Sequence, residues 1–302
     1  MKFILDRYFE KTHGFYPFFK YCPCPARDYY LTKRASKALG YEYNWKNPKT
    51  LNEKIRWLIF NEKPELKSRL TDKILVKSYA AQKLGKNHSA ELYGTYRNFD
   101  EIDFSVLPER FALKANHGWR MNILVKDKKF IYDNKNEVRK ITARWLKTDY
   151  SLFSLEPQYK NIKRKLLIES LRKEDSLRCD VQVHCFNFEP LFIELPINID
   201  GKRYYQFYDL DWKLQDFTYK SSLYKEPIPR PELLDLIIIY SRLLAKEFTY
   251  VRCDFAIDNN NIELVEMTFT PCSAIIPFSD KEIDSELGSR LILPQEAYSH
   301  AR

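Results

Sequence analysis

The spacing of apolar residues predicts helices in four segments of the chain. They are NPKTLNEKIRWLIFN (47–61), TDKILVKSYAAQKLG (71–85), NEVRKITARWLKTDY (136–150) and PELLDLIIIYSRLLAKE (231–247). The first segment contains Thr50 and Glu53 at the spacing of a capping box, which marks a helix start. The second begins at Thr71 or Asp72 and stops at Gly85. Its apolar stripe consists of Leu75, Tyr79 and Leu84.

Alternating apolar and polar positions predict strands in the rest of the chain. Single strands are predicted at 91–96, 164–171 and 202–214, and hairpins at 111–132, 179–195 and 250–271. The second hairpin would turn at 188–190 and the third at 259–261. Helices come first, mixed elements follow, and a strand-rich half with one long helix ends the chain. This order predicts an α+β protein with a multi-stranded antiparallel sheet.

Composition places the chain among soluble globular proteins. Of its 302 residues, 44% are hydrophobic and 30% are charged. No run approaches the roughly 20 apolar residues that a membrane helix needs, and the N-terminal MKFILDRYFEK lacks an apolar signal core. We therefore expect a cytoplasmic protein whose six cysteines are reduced.

The net charge of +9 has two interpretations. The basic residues are spread along the chain, which is typical of a solvated surface. They would also attract anionic partners such as nucleotides, sugar phosphates or lipid headgroups. Nucleic acid is not an expected partner, because no motif for it occurs. The seven glycines lie too far apart for a glycine-rich phosphate loop.

The N-terminal segment 1–35 is crowded with aromatic residues and interleaved Lys and Arg. Two interpretations stay open. Its aromatic residues, such as Phe9 and Phe19, would pack on the body of the protein as a docked arm. Alternatively, the segment would make a peripheral contact with the inner surface of the cell membrane.

The stretch FALKANHGWRMNILV (111–125) interrupts a predicted hairpin with polar residues. Alternation places Lys114 and Asn116 on one face of the strand, with Leu113 and Ala115 on the other. Because Leu113 suits a core, Lys114 faces a cleft or the solvent. Polar groups at such a break often face a ligand, and they are also common in surface turns.

The last predicted hairpin carries the most informative polar pattern. Arg252 and Asp254 share a face of the first strand, and Glu266 and Thr268 share a face of the return strand. Asp254 lies near the register of Glu266, and facing carboxylates repel unless a cation lies between them. Mg²⁺ would serve, because it binds carboxylates together with phosphate oxygens and water. Neutralisation by Arg252 is the alternative.

The two stretches just described are among several segments of the chain that together resemble one protein family. From about residue 47 to its end, the chain resembles the TupA-like ATP-grasp family of teichuronopeptide and surface-polysaccharide biosynthesis proteins, often labelled glycosyltransferases. The matching segments, in order, are TLNEKIRWL, the helix beginning TDK, FDEIDFSVLPERFALKANHG, YKNIKRKLLIESL, FYDLDWKL, YVRCDF, ELVEMTFTP and LGSRLILP. The aromatic N-terminal segment lies outside the resemblance.

The resemblance implies an ATP-grasp-like α+β fold, in which two subdomains hold a nucleotide in a cleft. The implied divisions are an N-terminal arm (1–46), a helical α+β region (47–110), a small lid subdomain (111–171) and a large subdomain with the metal-site hairpin (172–302). The implied reaction uses ATP and Mg²⁺. ATP phosphorylates a carboxylate, and an amine then displaces the phosphate to form an amide.

The resemblance also implies site residues. Those that would hold the nucleotide are Lys114, Asn116, His117, Gly118, Arg120, Glu169, Ser170, Leu171 and Gln182. Lys114 would neutralise phosphate oxygens and take part in catalysis, the loop 116–118 would cover the phosphates, and the strand at 169–171 would bond the adenine amino edge. Asp254, Glu266 and Thr268 would carry Mg²⁺. Arg252 would stabilise an acyl phosphate or hold an anionic substrate.

Three departures from the family pattern lie where the phosphates would be. The loop after Gly118 is WRMN (119–122) instead of small residues, Gln182 replaces a usual Lys, and CSAII (272–276) replaces glycines. Arg120 could supply the charge that is missing at Gln182, as a phosphate clamp. Alternatively, Trp119 and Arg120 fill the pocket and ATP no longer binds.

Two functional hypotheses follow. The first is an ATP- and Mg²⁺-dependent ligase that joins an amine or amino acid to a uronic acid of a surface polysaccharide or of its nucleotide-sugar or lipid-linked precursor. The second is a glycosyltransferase, or a non-catalytic partner in the same biosynthesis, on an ATP-grasp scaffold.

Two further polar patterns are less specific. His184 and Cys185 on a predicted strand are typical of packed or surface residues. Asp209-Leu210-Asp211 is superficially similar to the DxD metal motif of sugar-nucleotide glycosyltransferases, and equally similar to an acidic turn at a strand end.

Overall fold

The computed structural model describes residues 24–85, 88–154, 156–171, 178–219, 224–258 and 261–294. In these ranges the helices are α1 (Cys24–Leu39), α2 (Leu51–Asn61), α3 (Pro64–Thr71), α4 (Leu75–Leu84), α5 (Lys129–Asp133), α6 (Lys135–Lys147), α7 (Tyr150–Ser154), α8 (Leu234–Ala245) and α9 (Lys281–Arg290). The strands are β1 (Leu92–Tyr96), β2 (Phe111–Ala115), β3 (Asn122–Val125), β4 (Leu166–Ser170), β5 (Arg178–Phe186), β6 (Glu189–Ile199), β7 (Lys202–Tyr208), β8 (Tyr250–Asp258) and β9 (Asn261–Thr268). Short 3₁₀ turns include Pro157–Tyr159 and Pro271–Ala274.

The strands form two antiparallel sheets, which confirms the α+β prediction. A four-stranded small sheet has the order β1-β4-β2-β3, and a five-stranded large sheet has the order β7-β6-β5-β8-β9. The predicted hairpins appear as the pairs β2–β3, β5–β6 and β8–β9. Strand β1 joins the small sheet through β4. The predicted division between residues 110 and 111 therefore falls between two strands of one sheet.

The predicted helix at 71–85 is wrong at its start. Helix α3 already ends at Thr71, and α4 begins only at Leu75. Between them, the Asp72 carboxylate accepts the backbone N–H of Ile74 at 2.8 Å, a local bond that competes with a continuous helix. The buried positions of α4 also differ from the predicted stripe, because Leu75 is exposed. They are Val76, Tyr79 and Ala80.

Each sheet has its own apolar core. The small sheet packs on α6 through that helix's buried face, whose residues are Val138, Ile141, Thr142 and Trp145. One face of the large sheet, with Val181, Val183 and Cys253, packs on α8 and α4. Because side chains alternate along strands, the opposite face of the large sheet presents the intervening polar residues. This polar face carries the candidate site.

Helices α2 and α9 pack together against one end of the large sheet. The capping box predicted at Thr50 and Glu53 is confirmed. The buried Asp284 of α9 accepts hydrogen bonds from the Asn52 backbone and side chain at 3.0 and 2.8 Å and from Tyr41 at 2.6 Å. These bonds tie the chain near residue 50 to its C-terminal helix.

Several predictions concern residues outside the described ranges. They are the docking of Phe9 and Phe19 and the turn at Asn259 and Asn260. The described part of the N-terminal segment, α1, buries Leu31 on the body.

The described ranges contain no helix with the length and apolarity needed to cross a bilayer. Cys179, Cys185, Cys253 and Cys272 are free.

Replacing Gly288 with Ala tests the packing of α9 on α2. A Cβ at Gly288 would meet the Lys49 carbonyl and lie 2.7 Å from the Leu51 nitrogen, both of which are backbone atoms. We expect Gly288→Ala to lower the free energy of unfolding by roughly 1–3 kcal/mol, the usual cost of overpacking. Urea unfolding measures it, with Ser289→Ala at the next, exposed helix position as the control. Equal stability of the two variants would contradict this close packing.

Candidate active site

Two carboxylates face each other on the polar face of the large sheet. Asp254 on β8 pairs with Glu266 on β9 across the ladder, as the sequence predicts. The Thr268 hydroxyl lies 3.2 Å from Asp254 Oδ2 and 3.0 Å from Glu266 Oε1. Both carboxylates therefore converge on one point. Gln182 of β5 borders the pair, with its Nε2 3.5 Å from Asp254 Oδ2.

A buried guanidinium holds this centre together. Arg252 binds Asp254 through a two-pronged contact, Nε to Oδ1 and Nη2 to Oδ2, both at 2.8 Å. Its Nη1 donates to Glu194 Oε2 at 3.2 Å. Arg252 therefore lies between the carboxylates of Asp254 and Glu194. For Asp254, this agrees with the alternative from the sequence, in which Arg252 and not a metal ion neutralises the charge. Glu194 was not predicted from the sequence, because its partner lies 58 residues away on another strand.

Glu194 is the centre of a buried network. His184 Nε2 lies 2.9 Å from Glu194 Oε2, and the Tyr219 hydroxyl donates to the same oxygen at 2.7 Å. The Tyr250 hydroxyl lies 3.0 Å from His184 Nδ1. Burial would raise the pKa of Glu194, but the Arg252 charge and these hydrogen bonds outweigh it and lower the pKa to about 2. Glu194 is therefore ionised, and His184 is a packed residue.

The electrostatic balance differs between the two facing carboxylates. Burial and the charge of Glu266 raise the pKa of Asp254 to about 7, although Arg252 opposes the shift. Burial also acts to raise the pKa of Glu266, but the charges of Lys73 and Arg252 outweigh it and hold the pKa below its ordinary value. Lys73 therefore lies within electrostatic reach of the pair.

Lys73 connects the carboxylates to the loop after β2. Its Nζ donates to the Gly118 carbonyl at 2.8 Å, and its backbone N–H donates to the Asn116 carbonyl. Desolvation lowers the pKa of Lys73, while the charge of Glu266 opposes this. The apolar periodicity alone places Lys73 inside a helix. The sequence signal that could have identified Lys73 as a site residue is the segment TDK, which belongs to the family resemblance.

Lys114 lies in a second cluster of charges beside Lys73. Its Nζ donates to Glu169 Oε1 at 2.5 Å, and Lys77 Nζ lies 2.8 Å from Glu169 Oε2. Burial acts to raise the pKa of Glu169, but the two lysines together lower it. The charges of Glu266, Lys114 and Glu169 all act on the Lys73 ammonium, so Lys73 is electrostatically coupled to both charge clusters.

The strand at 169–171 is less open to an adenine than the resemblance implies. Strand β4 is internal, with β1 on one side and β2 on the other. Ser170 exchanges bonds with Glu91, donating through its backbone N–H at 2.8 Å and accepting at its hydroxyl at 3.0 Å. The Glu169 carboxylate is bound by two lysines. Leu171, which follows the strand, lies beside the segment 172–177 outside the described ranges.

Asn116 and His117 are buried, which differs from the implied cover over phosphates. Asn116 Nδ2 donates to Asp72 at 2.9 Å and to the Lys163 carbonyl at 3.0 Å. His117 Nε2 lies 3.0 Å from the Trp145 carbonyl. Both side chains turn inward because the loop crosses over α6 and the chain at 163–165. Their role is to hold the loop in shape.

The rest of the loop combines a tight glycine with exposed side chains. A Cβ at Gly118 would lie 2.6 Å from the Met121 sulfur. Trp119 is 51% exposed, and the Arg120 guanidinium stacks 4.2 Å above its indole ring. Arg120 has a positive φ of 58°. The indole thus lies at the surface, with Arg120 beside it.

The remaining acidic pattern forms a turn. Asp209 Oδ1 accepts the backbone N–H groups of Asp211 and Lys213 at 3.1 and 2.8 Å. Trp212 has a positive φ of 68° and stacks on Tyr208 at 4.2 Å between ring centroids. This agrees with the interpretation as an acidic strand-end turn. Cys185 is fully buried in the core of the large sheet.

The donor set at the carboxylate pair fits Mg²⁺. Mg²⁺ binds through one or two carboxylates and completes its shell with substrate phosphate oxygens and water. Asp254 and Glu266 would supply the carboxylates, with Thr268 beside them. In the described ranges no group of three His, Cys, Asp or Glu side chains could hold a metal. A cation here would therefore be bound together with a phosphate-bearing substrate.

His117 should make stability depend on pH. Burial lowers its pKa to about 4, against about 6.5 in an unfolded chain. The folded state keeps the ring neutral, so its contribution is complete above pH 6.5 and is lost as pH falls towards 4. It amounts to at most about 3 kcal/mol.

Urea unfolding between pH 4.5 and 7.5 measures this dependence. We expect His117→Gln to flatten the stability curve in that window relative to the wild type. Parallel curves for the two proteins would show that His117 is not the responsible group.

Glu194→Gln should strongly destabilise the protein. The substitution removes one of the two charges that hold the buried Arg252, and breaking a buried pair costs about 3–5 kcal/mol. Glu189→Gln is the control on the same strand, because Glu189 pairs with Arg242 at the surface. Its expected cost is below about 1 kcal/mol. Chemical denaturation at pH 7 compares them, and a Glu194 variant as stable as the control would refute the network.

Comparison with protein families gives one match that covers most of the chain. The family model described as TupA-like ATPgrasp matches residues 53–292. A comparison with curated proteins found no match.

Comparison with solved structures gives distant similarities. The D-alanine–D-alanine ligase from Bacillus anthracis complexed with ATP has 14% identity and a TM-score of 0.42, covering 67% of this chain and 55% of that one. The L-amino acid ligase from Bacillus licheniformis has 13% identity and a TM-score of 0.41, covering 65% and 42%. The N5-carboxyaminoimidazole ribonucleotide synthetase from Thermus thermophilus has 12% identity and a TM-score of 0.42, covering 72% and 51%. The chain thus spans about half the length of these proteins.

Proposed function

The chain belongs to the TupA-like ATP-grasp family, and from this premise we propose that it is an ATP- and Mg²⁺-dependent carboxylate–amine ligase. The acid would be a uronic acid of a surface polysaccharide or of its nucleotide-sugar or lipid-linked precursor. The amine would be an amino acid or an amino alcohol. The enzyme would work in the cytoplasm, where ATP is available, with a peripheral contact to the inner membrane surface.

The observation that carries the proposal is that Lys73 is electrostatically coupled both to Lys114 and to the carboxylate pair. Lys114 lies on β2 of the small sheet, Lys73 lies in the linker between α3 and α4, and Asp254 and Glu266 come from the large sheet. A nucleotide polyphosphate needs cationic partners on its oxygens, and Mg²⁺ bridges phosphate oxygens to carboxylates. Lys73 is within reach of both sets, so one polyphosphate could contact both sides.

Each residue around the cleft then has a defined role. Lys73 and Lys114 would bind phosphate oxygens, and Lys114 would exchange part of its contact with Glu169 for a phosphate. Mg²⁺, when bound, would neutralise charge on the phosphates. Arg252 would stabilise the acyl phosphate or hold the anionic substrate, because preorganised donors act strongly in a desolvated site. Glu194 would keep Arg252 in place.

Adenine would lie at the end of β4. The internal position of β4 leaves Leu171 as the nearest described backbone for the adenine edge. Arg120, exposed beside Trp119, is placed at the mouth of the loop, where it could close on the phosphates as a clamp. The neutral Gln182 would then contact Asp254 and not the nucleotide.

ATP binding tests the proposal directly. We expect ATP with Mg²⁺ to raise the melting temperature of the wild type, because a ligand that binds only the folded state stabilises it. Calorimetry should show that Lys114→Ala loses roughly 1.5–3 kcal/mol of ATP binding, the range for hydrogen bonds to charged groups. Lys135→Ala, an exposed lysine at the start of α6, is the matched control and should bind as the wild type does.

Two outcomes would contradict the ligase. One is a melting shift with UDP or a UDP-sugar and none with ATP, which would favour the glycosyltransferase hypothesis. The other is the absence of ATP binding at millimolar concentration with Mg²⁺, which would mean that the site has lost its nucleotide role.

A further inference from the structure

A polar cluster borders the candidate active site at the end of β9. The chain leaves β9 through Thr270 into the 3₁₀ turn 271–274, which lies against Glu156 and the 3₁₀ turn 157–159. The Thr270 hydroxyl donates to Glu156 Oε1, and Gln158 Nε2 donates to Thr270 Oγ1 at 2.7 Å. The Ser273 hydroxyl lies 3.3 Å from Glu156 Oε2. None of these residues belongs to the nucleotide or metal set described above.

Among the described residues, one polar atom of this cluster has no hydrogen-bond partner. Gln158 is only 5% exposed, and its Oε1 makes no hydrogen bond, whereas its Nε2 bonds within the cluster. Leaving such an acceptor buried and unpaired costs about 1–3 kcal/mol. Native proteins rarely leave buried polar groups unpaired, and a water, an ion or a ligand can satisfy such a group. A donor from a ligand would satisfy the Gln158 oxygen.

The cluster lies next to the reacting centre. Thr270 follows Thr268 by two residues, a span of at most about 7 Å. Desolvation raises the pKa of the Tyr159 phenol, and the charges of Glu156 and Glu266 both add to that effect. Tyr159 therefore lies within reach of both carboxylates. On the other side, the charges of Arg252 and Glu156 both act on the Cys272 thiol.

The cluster itself is buried, and the turn that lies over it reaches the surface. Cys272 keeps exposed surface, although the surrounding protein desolvates its thiol enough to raise the pKa. Residues 272, 273 and 274 all have positive φ angles of 46°, 59° and 53°. This turn forms the rim between solvent and the Glu156 carboxylate.

The chemistry of the cluster selects a primary ammonium. An R–NH₃⁺ group has three N–H donors, and the cluster offers three kinds of acceptor oxygen, in the Glu156 carboxylate, the Gln158 amide and the Thr270 hydroxyl. The negative charge of Glu156 attracts a cation and repels an anionic ligand. Arg56 is near enough for the charge of Glu156 to raise the pKa of Arg56 against desolvation.

We propose that Glu156, Gln158 and Thr270 form the subsite that binds the ammonium group of the amine co-substrate. This inference rests on the proposed ligase function, and it adds the position of the second substrate. The nitrogen would then lie on the Arg252 side of the metal carboxylates. There it would be next to the carboxylate that the enzyme activates.

Saturation-transfer NMR on the full chain, loaded with ADP and Mg²⁺, tests the subsite. The probes are ethanolamine, L-alanine, L-lysine and 1,4-diaminobutane, each paired with its N-acetylated analogue. We expect at least one amine to bind while its N-acetylated form does not. Glu156→Gln keeps the size of the side chain but removes its charge, so it should weaken that amine at least about tenfold, or about 1.4 kcal/mol.

Two further variants complete the test. Gln158→Met removes the unpaired acceptor without changing a charge, and should also weaken the amine. Glu109→Gln, at a 70% exposed carboxylate on another surface, is the control and should bind as the wild type does. If Glu156→Gln does not fold, Gln158→Met decides the question.

The outcomes separate the inference from the proposed function. Retained ADP·Mg²⁺ binding without amine binding to the wild type would overturn the subsite alone. Amine affinities equal to wild type in both Glu156→Gln and Gln158→Met would overturn it as well. Failure of the wild type to bind any adenine nucleotide would instead refute the ligase proposal.

Discussion

The buried guanidinium of Arg252 is the constraint around which the polar face of the large sheet is built. An ion removed from water costs several kcal/mol even after the protein relaxes, so Arg252 requires compensating charge. Asp254 and Glu194 supply it, and Glu194 in turn is bonded by His184 and Tyr219. Four strands thus contribute to or border a single charge network, and their register determines whether each partner reaches the next.

The same network gives the carboxylates on this sheet face different electrostatic surroundings. Asp254 carries a raised pKa because burial and Glu266 oppose its ionisation, whereas Glu194 carries a lowered one because Arg252 and hydrogen bonds favour it. Asp254 and Glu194 therefore differ in how strongly their surroundings stabilise the ionised form. The ionised form is less stabilised at Asp254, which faces Glu266 where the donor set fits Mg²⁺.

The cleft is completed by contacts between distant parts of the chain. Asp72 and Lys73 bind the Asn116–Gly118 loop, and Glu156 binds Thr270 beyond the Asp254–Glu266 pair. The first pair joins the linker between α3 and α4 to the small sheet. The second joins the segment between α7 and β4 to the large sheet. Both bring polar groups to the edge of one cleft.

Sequence alone determined the features that depend on local periodicity. Alternation placed Arg252 with Asp254 and set Asp254 opposite Glu266, because neighbouring strands joined by a short turn have little freedom of register. The family resemblance supplied the ATP-grasp fold. Only the tertiary structure decided that Asn116 and His117 turn inward, that Lys73 leaves its helix, and that Glu156 and Glu194 reach the site. Their partners lie tens to more than a hundred residues away, and such packing leaves no periodic signal in the chain.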